Sequence, residues 1–228
     1  MIDKITVKPD TLPYQILFFH ELDLRQFGQV VPLFGPNGAG KSTLIQGIID
    51  AGTKENDNIK VTITHGIKTS FYAYRNSTDN FKVCKPKSYA MAYDIGFHAL
   101  RWDARSLSEG QSVIFSVMDL LDSLDAGEIV DGEHTTIILD EIDSGLSIDN
   151  IDMVMKKIRR IVKRRNDVQI IFSFNQPRVL KWFPNVLSMY DGSRITMHNE
   201  DDMMSVINEH KKEFDKIRKR KGRPKVFK

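Results

Sequence analysis

The chain has 228 residues, 41% hydrophobic and 28% charged, a balance that suits one globular domain and excludes disordered and fibrous classes. No apolar run approaches the ~18 residues of a membrane span, the opening MIDKITVKPD lacks a signal-peptide core, and a lone cysteine, Cys84, forbids an intrachain disulfide and fits a reducing cytoplasm. The net charge of +3 is local: residues 216–228 hold eight basic and no acidic residues, so the rest carries −5.

In chain order, residues 4–8 and 14–20 read as paired strands leading into an apolar strand at Val30-Val31-Pro32-Leu33-Phe34. Tyr14, Phe18 and Phe19 are expected to face the core, as strand aromatics do. Residues 35–43 then read GPNGAGKST, which fits G-x-x-x-x-G-K-[ST]. A helix is expected to follow from Thr43 through Ile49. In that strand–loop–helix setting Gly35, Pro36, Asn37, Gly38, Ala39 and Gly40 form a backbone cradle for phosphate oxygens. Lys41 reaches the β- and γ-phosphates, Ser42 offers a hydroxyl to Mg²⁺, and Thr43 completes the turn. A nucleoside triphosphate with Mg²⁺ is the ligand this implies.

Segment 53–58 is a polar loop, and 60–64 with 68–74 alternates like a hairpin. Residues 106–111, SLSEGQ, precede a helical apolar pattern at Val113, Ile114, Val117, Leu120 and Leu121. Ser108 and the N–H groups of Gly110 and Gln111 are therefore expected at a helix N-terminus, a natural anion site. Residues 135–141, TTIILDE, read as a buried parallel strand ending in two acids. Such acids also occur as plain loop charges. Beside a phosphate loop they read as a catalytic pair, with Asp140 holding Mg²⁺ and Glu141 taking a proton from the attacking water.

A helix is expected at 149–165, burying Ile151, Val154, Ile158, Ile161 and Val162. Its basic remainder is open to two readings, a solvated face or a nucleic-acid footprint. A strand at 168–173, a hairpin at 186–197 around Asp191-Gly192-Ser193, and a helix at 201–218 complete the domain. The six histidines show no metal-ligand spacing.

GPNGAGKST, LSEGQ, IILDE and SGLS (144–147), in this order, resemble the ABC-class ATPases. The resemblance implies an α/β P-loop fold with a mostly parallel central sheet flanked by helices. It also implies an N-terminal antiparallel β portion and a small insertion between phosphate loop and signature. It further implies a head-to-tail homodimer with two ATPs at its interface, Ser108 and Gly110 touching the γ-phosphate of the partner's ATP. Only 62 residues separate Thr43 from Ser106, which leaves no room for the coiled coil of the chromosome-maintenance and DNA-repair members. The chain departs from the family's pattern at Glu109, where glycine is usual. It has no glutamine between Gln46 and Gln111, with Asn76 a candidate substitute. Phe174-Asn175 stands where the γ-phosphate-sensing histidine is usual; either Asn175 senses the phosphate or the sensor is absent.

The ATPase domain is thus expected over 1–215 and a basic tail over 216–228. Within the tail, KGRPK resembles an AT-hook, a narrow extended segment suited to an A·T-rich minor groove. Lys219, Arg220, Lys221, Gly222, Arg223 and Lys225 are the candidate DNA or RNA contacts; general nucleic-acid binding and docking to a protein partner remain the alternatives. The overall expectation is a nucleic-acid-linked ATPase without membrane insertion. Its rivals are a transporter's ATPase subunit and a slowly hydrolysing switch that regulates a partner protein.

Overall fold

A computed structural model describes residues 1–53, 58–63, 69–75, 109–128 and 134–220. A small antiparallel sheet is built from β1 (Ile2–Val7), β2 (Glu21–Asp23) and β4 (Ile59–Ile63), in the order β2-β1-β4. A larger sheet holds β3 (Val30–Phe34), β5 (Thr69–Arg75), β6 (His134–Asp140), β7 (Val168–Ser173), β8 (Asn185–Ser188) and β9 (Arg194–Thr196). Its order is β5-β6-β7-β3-β8-β9, parallel throughout except for β9. The helices are α1 (Lys41–Thr53), α2 (Glu109–Ala126), α3 (Ile148–Arg164) and α4 (Glu200–Arg220).

The central strands carry no polar-out alternation. Every residue of β7 is buried, as are the last six of β6, which is what a parallel sheet covered on both faces demands. Gln169 and Ser173 are the polar residues of β7, and Gln169 joins the two sheets. Its amide accepts from Ile2 N–H at 2.7 Å and donates to Ile2 O at 2.9 Å, so one buried side chain clasps the small sheet to the large one. Helix α1 lies against both sheets, touching β4 on one side and β5 and β6 on the other.

Helix α3 begins at Ser147, whose hydroxyl caps the Asn150 N–H, with Asp149 in its first turn and Lys163 and Arg164 in its last, the polarity the helix dipole favours. Ile151, Val154, Ile158 and Ile161 are buried as the spacing requires, and Met155 joins them. Much of the basic face is engaged. Lys157, Arg160 and Arg164 reach Asp125 of α2, and Lys157 also reaches Asp122. That leaves Lys156, Arg159 and Lys163 as the exposed remainder. The hairpin at the end of the sheet forms as expected, with Leu187 opposite Arg194.

Two sequence expectations are corrected. Strand β1 pairs with β2 at 21–23, not with 14–20; residues 14–16 form a single 3₁₀ turn. Tyr14 and Phe19 are nonetheless buried and Phe18 is half-buried. The hairpin expected over 60–64 and 68–74 does not form; the strands there are Ile59–Ile63 and Thr69–Arg75. β4 pairs antiparallel with β1, whereas β5 pairs in parallel with β6 in the other sheet. Alternation shows that a segment is a strand and not which strand it pairs with.

Candidate nucleotide site

The phosphate loop leaves β3 at Phe34 and enters α1 at Lys41. Gly40 has φ +90°, and a Cβ there would lie 2.6 Å from Leu17 Cδ2. Gly35 is confined differently: a Cβ would sit 2.8 Å from Met189 Cβ. Only glycine lets the loop close this tightly against the sheet. The turn is stitched by Ala39 N–H to Pro36 O at 3.0 Å, and the helix starts with Leu44 N–H to Gly40 O at 2.8 Å.

Lys41 curls back across this loop. Its ammonium donates to Gly35 O at 2.6 Å and Pro36 O at 3.4 Å, and the side chain is 5% exposed. Burial pushes its pKa down, while Glu141, Asp140 and Asp143 oppose that shift and favour the cation. A phosphate oxygen is a stronger, charged acceptor for Nζ than either carbonyl.

The two acids stand at the C-terminal end of β6, where open parallel sheets place ligands. Asp140 is buried and accepts a hydrogen bond from Ser173 Oγ at 2.6 Å. The same Oγ accepts the Glu141 N–H at 2.7 Å. One hydroxyl from β7 therefore fixes both members of the pair. Glu141 has φ +51°, a left-handed backbone conformation costly for a residue with a side chain, and is half-buried. The bond to Ser173 helps hold it there.

Asp143 completes the cluster. It is 1% exposed, and its Oδ2 accepts the N–H groups of Asn175, at 2.7 Å, and Gln176. Phe174 is buried in an aromatic group, its ring centroid 6.2 Å from Phe34 and 6.3 Å from Phe172. Asn175 is exposed. The Phe174–Asn175 pair therefore splits, one residue buried and one exposed.

The Ser42 hydroxyl and the Asp140 carboxylate would offer a metal oxygen donors of the kind Mg²⁺ takes. Beside Ser42 and Thr43 a cavity of about 360 Å³ opens along α1, walled by Leu12, Pro13, Tyr14, Gln46 and Asp50. Leu12 is 60% exposed at its rim.

Lys41, Asp140 and Glu141, expected from sequence, are thus brought near one another, and both carboxylates act on the Lys41 ammonium. Gly110 and Gln111 fall in the first turn of α2, as expected. Lys219 and Arg220 are the last residues of α4. Asn76, Ser108, Lys221, Gly222, Arg223 and Lys225 lie outside the described residues. Sequence reasoning passed over Ser173 and Asp143. Their only traces in the sequence are a hydroxyl at the end of an apolar strand and a third acid in DEID.

No family model matches the chain, and no curated protein matches it. Among solved structures it is similar to a chain of a protein named a metal-chelate type ABC transporter, in an inward-facing conformation. The two share 19% identity over 91% of this chain and 90% of that one, with a TM-score of 0.52. An ATP-binding cassette of an ABC transporter in its ADP conformation overlaps at 16% identity, 86% and 89% coverage and a TM-score of 0.47. The protein named RNase-L Inhibitor overlaps at 14% identity and a TM-score of 0.43, across 84% of this chain and 39% of that chain. The first overlap spans nearly the whole of both chains, and with the strand order and the loop–helix geometry it shows that this chain has the fold of an ABC-type P-loop ATPase cassette.

Proposed function

We propose that the chain binds Mg-ATP and hydrolyses it as a head-to-tail, ATP-sandwiched homodimer, in work on nucleic acid. The single observation that supports hydrolysis best is the Ser173 bridge, which fixes Asp140 and Glu141 together at the strand end whose charges act on buried Lys41. Glu141 accepts a proton from the water that attacks the γ-phosphorus; the bond to the β–γ bridging oxygen breaks, giving ADP and phosphate. Lys41 and the amides of 38–42 stabilise charge that grows on the phosphate oxygens. Ser42 and Asp140 would hold Mg²⁺, which would supply further neutralisation of that charge. Ser108 of the opposite copy closes the site, and Asn175 donates its side-chain N–H to the γ-phosphate. The base and ribose occupy the cavity along α1, against Leu12 and Pro13. The nucleic-acid role rests on the tail, whose eight cations contrast with a body of net charge −5.

The test is steady-state phosphate release with Mg-ATP, with and without A·T-rich duplex. Glu141→Gln is expected to lower turnover at least ~100-fold and to trap a dimer on gel filtration with ATP. Turnover untouched by Glu141→Gln, or a strictly monomeric variant under saturating ATP, would sink the reading. A second reading, the ATPase subunit of a membrane transporter, is favoured by the overlap with the metal-chelate type transporter. Among the described residues no helix is long and apolar enough to cross a membrane, so that role needs membrane subunits from other chains. Co-sedimentation with membranes and a turnover indifferent to DNA would select it.

A further inference from the structure

We propose that Asp143 is a positioning residue that sets the 174–176 turn, and with it the Asn175 side chain, against the γ-phosphate. The inference rests on the hydrolysis reading above.

The segment after Glu141 and the turn after β7 are joined by four hydrogen bonds. Glu141 N–H donates to Ser173 Oγ at 2.7 Å, and Ile142 N–H to Ser173 O at 3.2 Å. The other two converge on one oxygen of Asp143, from the N–H groups of Asn175 and Gln176. Ser173 belongs to β7 and is fixed by the sheet. Asn175 and Gln176 lie beyond the last strand residue, and both are exposed. Among the described residues Asp143 is the side chain that accepts both of their amides.

Such a carboxyl is expensive. Asp143 is 1% exposed, and its second oxygen, Oδ1, has no hydrogen-bond partner. A buried charge or an unsatisfied buried acceptor destabilises the fold. Burial accordingly pushes the Asp143 pKa up, against the backbone amides of Gln176, Asn175 and Asp143 itself and, more weakly, Lys41. A residue serving packing alone would do better as an apolar side chain of similar volume. What Asp143 does instead is tie two strand-end loops into one unit, so that Glu141 and Asn175 keep a fixed spacing. Its own segment is braced by Ser144 N–H to Glu141 O at 3.0 Å and Leu146 N–H to Asp143 O at 3.3 Å. Misplacement of a contact group by about 1 Å can cost on the order of 100-fold in rate, so a tether of this kind is felt in kcat.

The test is a double-mutant cycle on the full chain with D143A and N175A, reading kcat and KM for Mg-ATP and the affinity for a fluorescent ADP. D143A is expected to lower kcat about tenfold or more, with KM and ADP affinity within about threefold of wild type. The D143A–N175A double variant should be no slower than the slower single one, because both changes remove the same contact. D143N should keep at least about half of wild-type kcat, since its amide oxygen can accept the same two N–H groups. Additive losses, a wild-type kcat in D143A, or a D143N as slow as D143A would overturn the proposal. If D143A does not fold, D143L, which fills the buried site without an acceptor, takes its place in the cycle. A wild type that binds ATP without Glu141-dependent turnover would defeat the hydrolysis reading alone. The cycle is then read in the ratio of ATP to ADP affinity, where non-additive loss of ATP preference supports the tether and additive loss overturns it. A wild type that binds neither nucleotide would overturn both.

Discussion

At Gly40, φ is +90° and a methyl group would strike Leu17 from 2.6 Å. Gly40→Ala therefore adds backbone strain of about 1–3 kcal/mol to the loop, with a steric clash on top. The expected outcome is on the order of a tenfold loss of nucleotide affinity, measured by titration calorimetry, with a folded protein by circular dichroism. Wild-type affinity in that variant would mean that the loop relaxes freely and that its glycines are not the constraint. Glu141 shows the same economy from the opposite side. It is a non-glycine residue with φ +51°, kept in place by a hydroxyl from a neighbouring strand. Gln169 acts alone in a third way, as one amide that satisfies both backbone groups of Ile2 where β1 meets a buried strand.

Among the elements, the turn at Pro177–Lys181 is held to α3 by Asp152. Its carboxylate takes a two-pronged bond from Arg178 and accepts Trp182 Nε1–H at 2.8 Å. The hydrogen bond from Arg178, and then that from Trp182, depress the Asp152 pKa well below the usual carboxylate range. A depressed folded-state pKa contributes stability that is present above the unfolded value, near 4, and lost as pH falls through the folded one. Asp152→Ala should lower Tm by about 2–4 °C at pH 7, with the gap narrowing below about pH 4. Thermal melts across that range check it, and a gap independent of pH would show that packing and not charge holds the turn. Legibility at this scale is uneven for a physical reason. Helix α3 was readable because its buried face repeats at helical spacing within one segment. So was the end of β6, where an apolar run stops at two acids. The separation of β4 and β5 into different sheets was not, since pairing partners lie far away in sequence. Ser173 and Asp143 were missed on the same ground: each matters only through a contact some 32 residues away in the chain.

Across the whole molecule, charge is divided between an acidic body and a basic end. Three of the cations on α3 are committed to Asp122 and Asp125, which shifts the burden of any nucleic-acid contact onto residues 216–228. If that segment neutralises four to six phosphates, log K should fall against log salt with a slope of roughly −4 to −5. Fluorescence anisotropy with A·T-rich duplex measures it. A chain ending at residue 215 should bind weakly and with a shallow slope, and an unchanged slope would move the contact onto the body. The sheet order has one more consequence, in the timing of assembly. Strand β3, which carries the phosphate loop, has β7 and β8 as its neighbours, and both come from beyond residue 167. During synthesis the motif at 35–43 leaves the ribosome early, yet its walls arrive more than 120 residues later. A nascent chain halted at residue 165 should therefore carry the complete motif and capture no nucleotide, and nucleotide capture would mark the moment when the second half of the sheet has closed around the first.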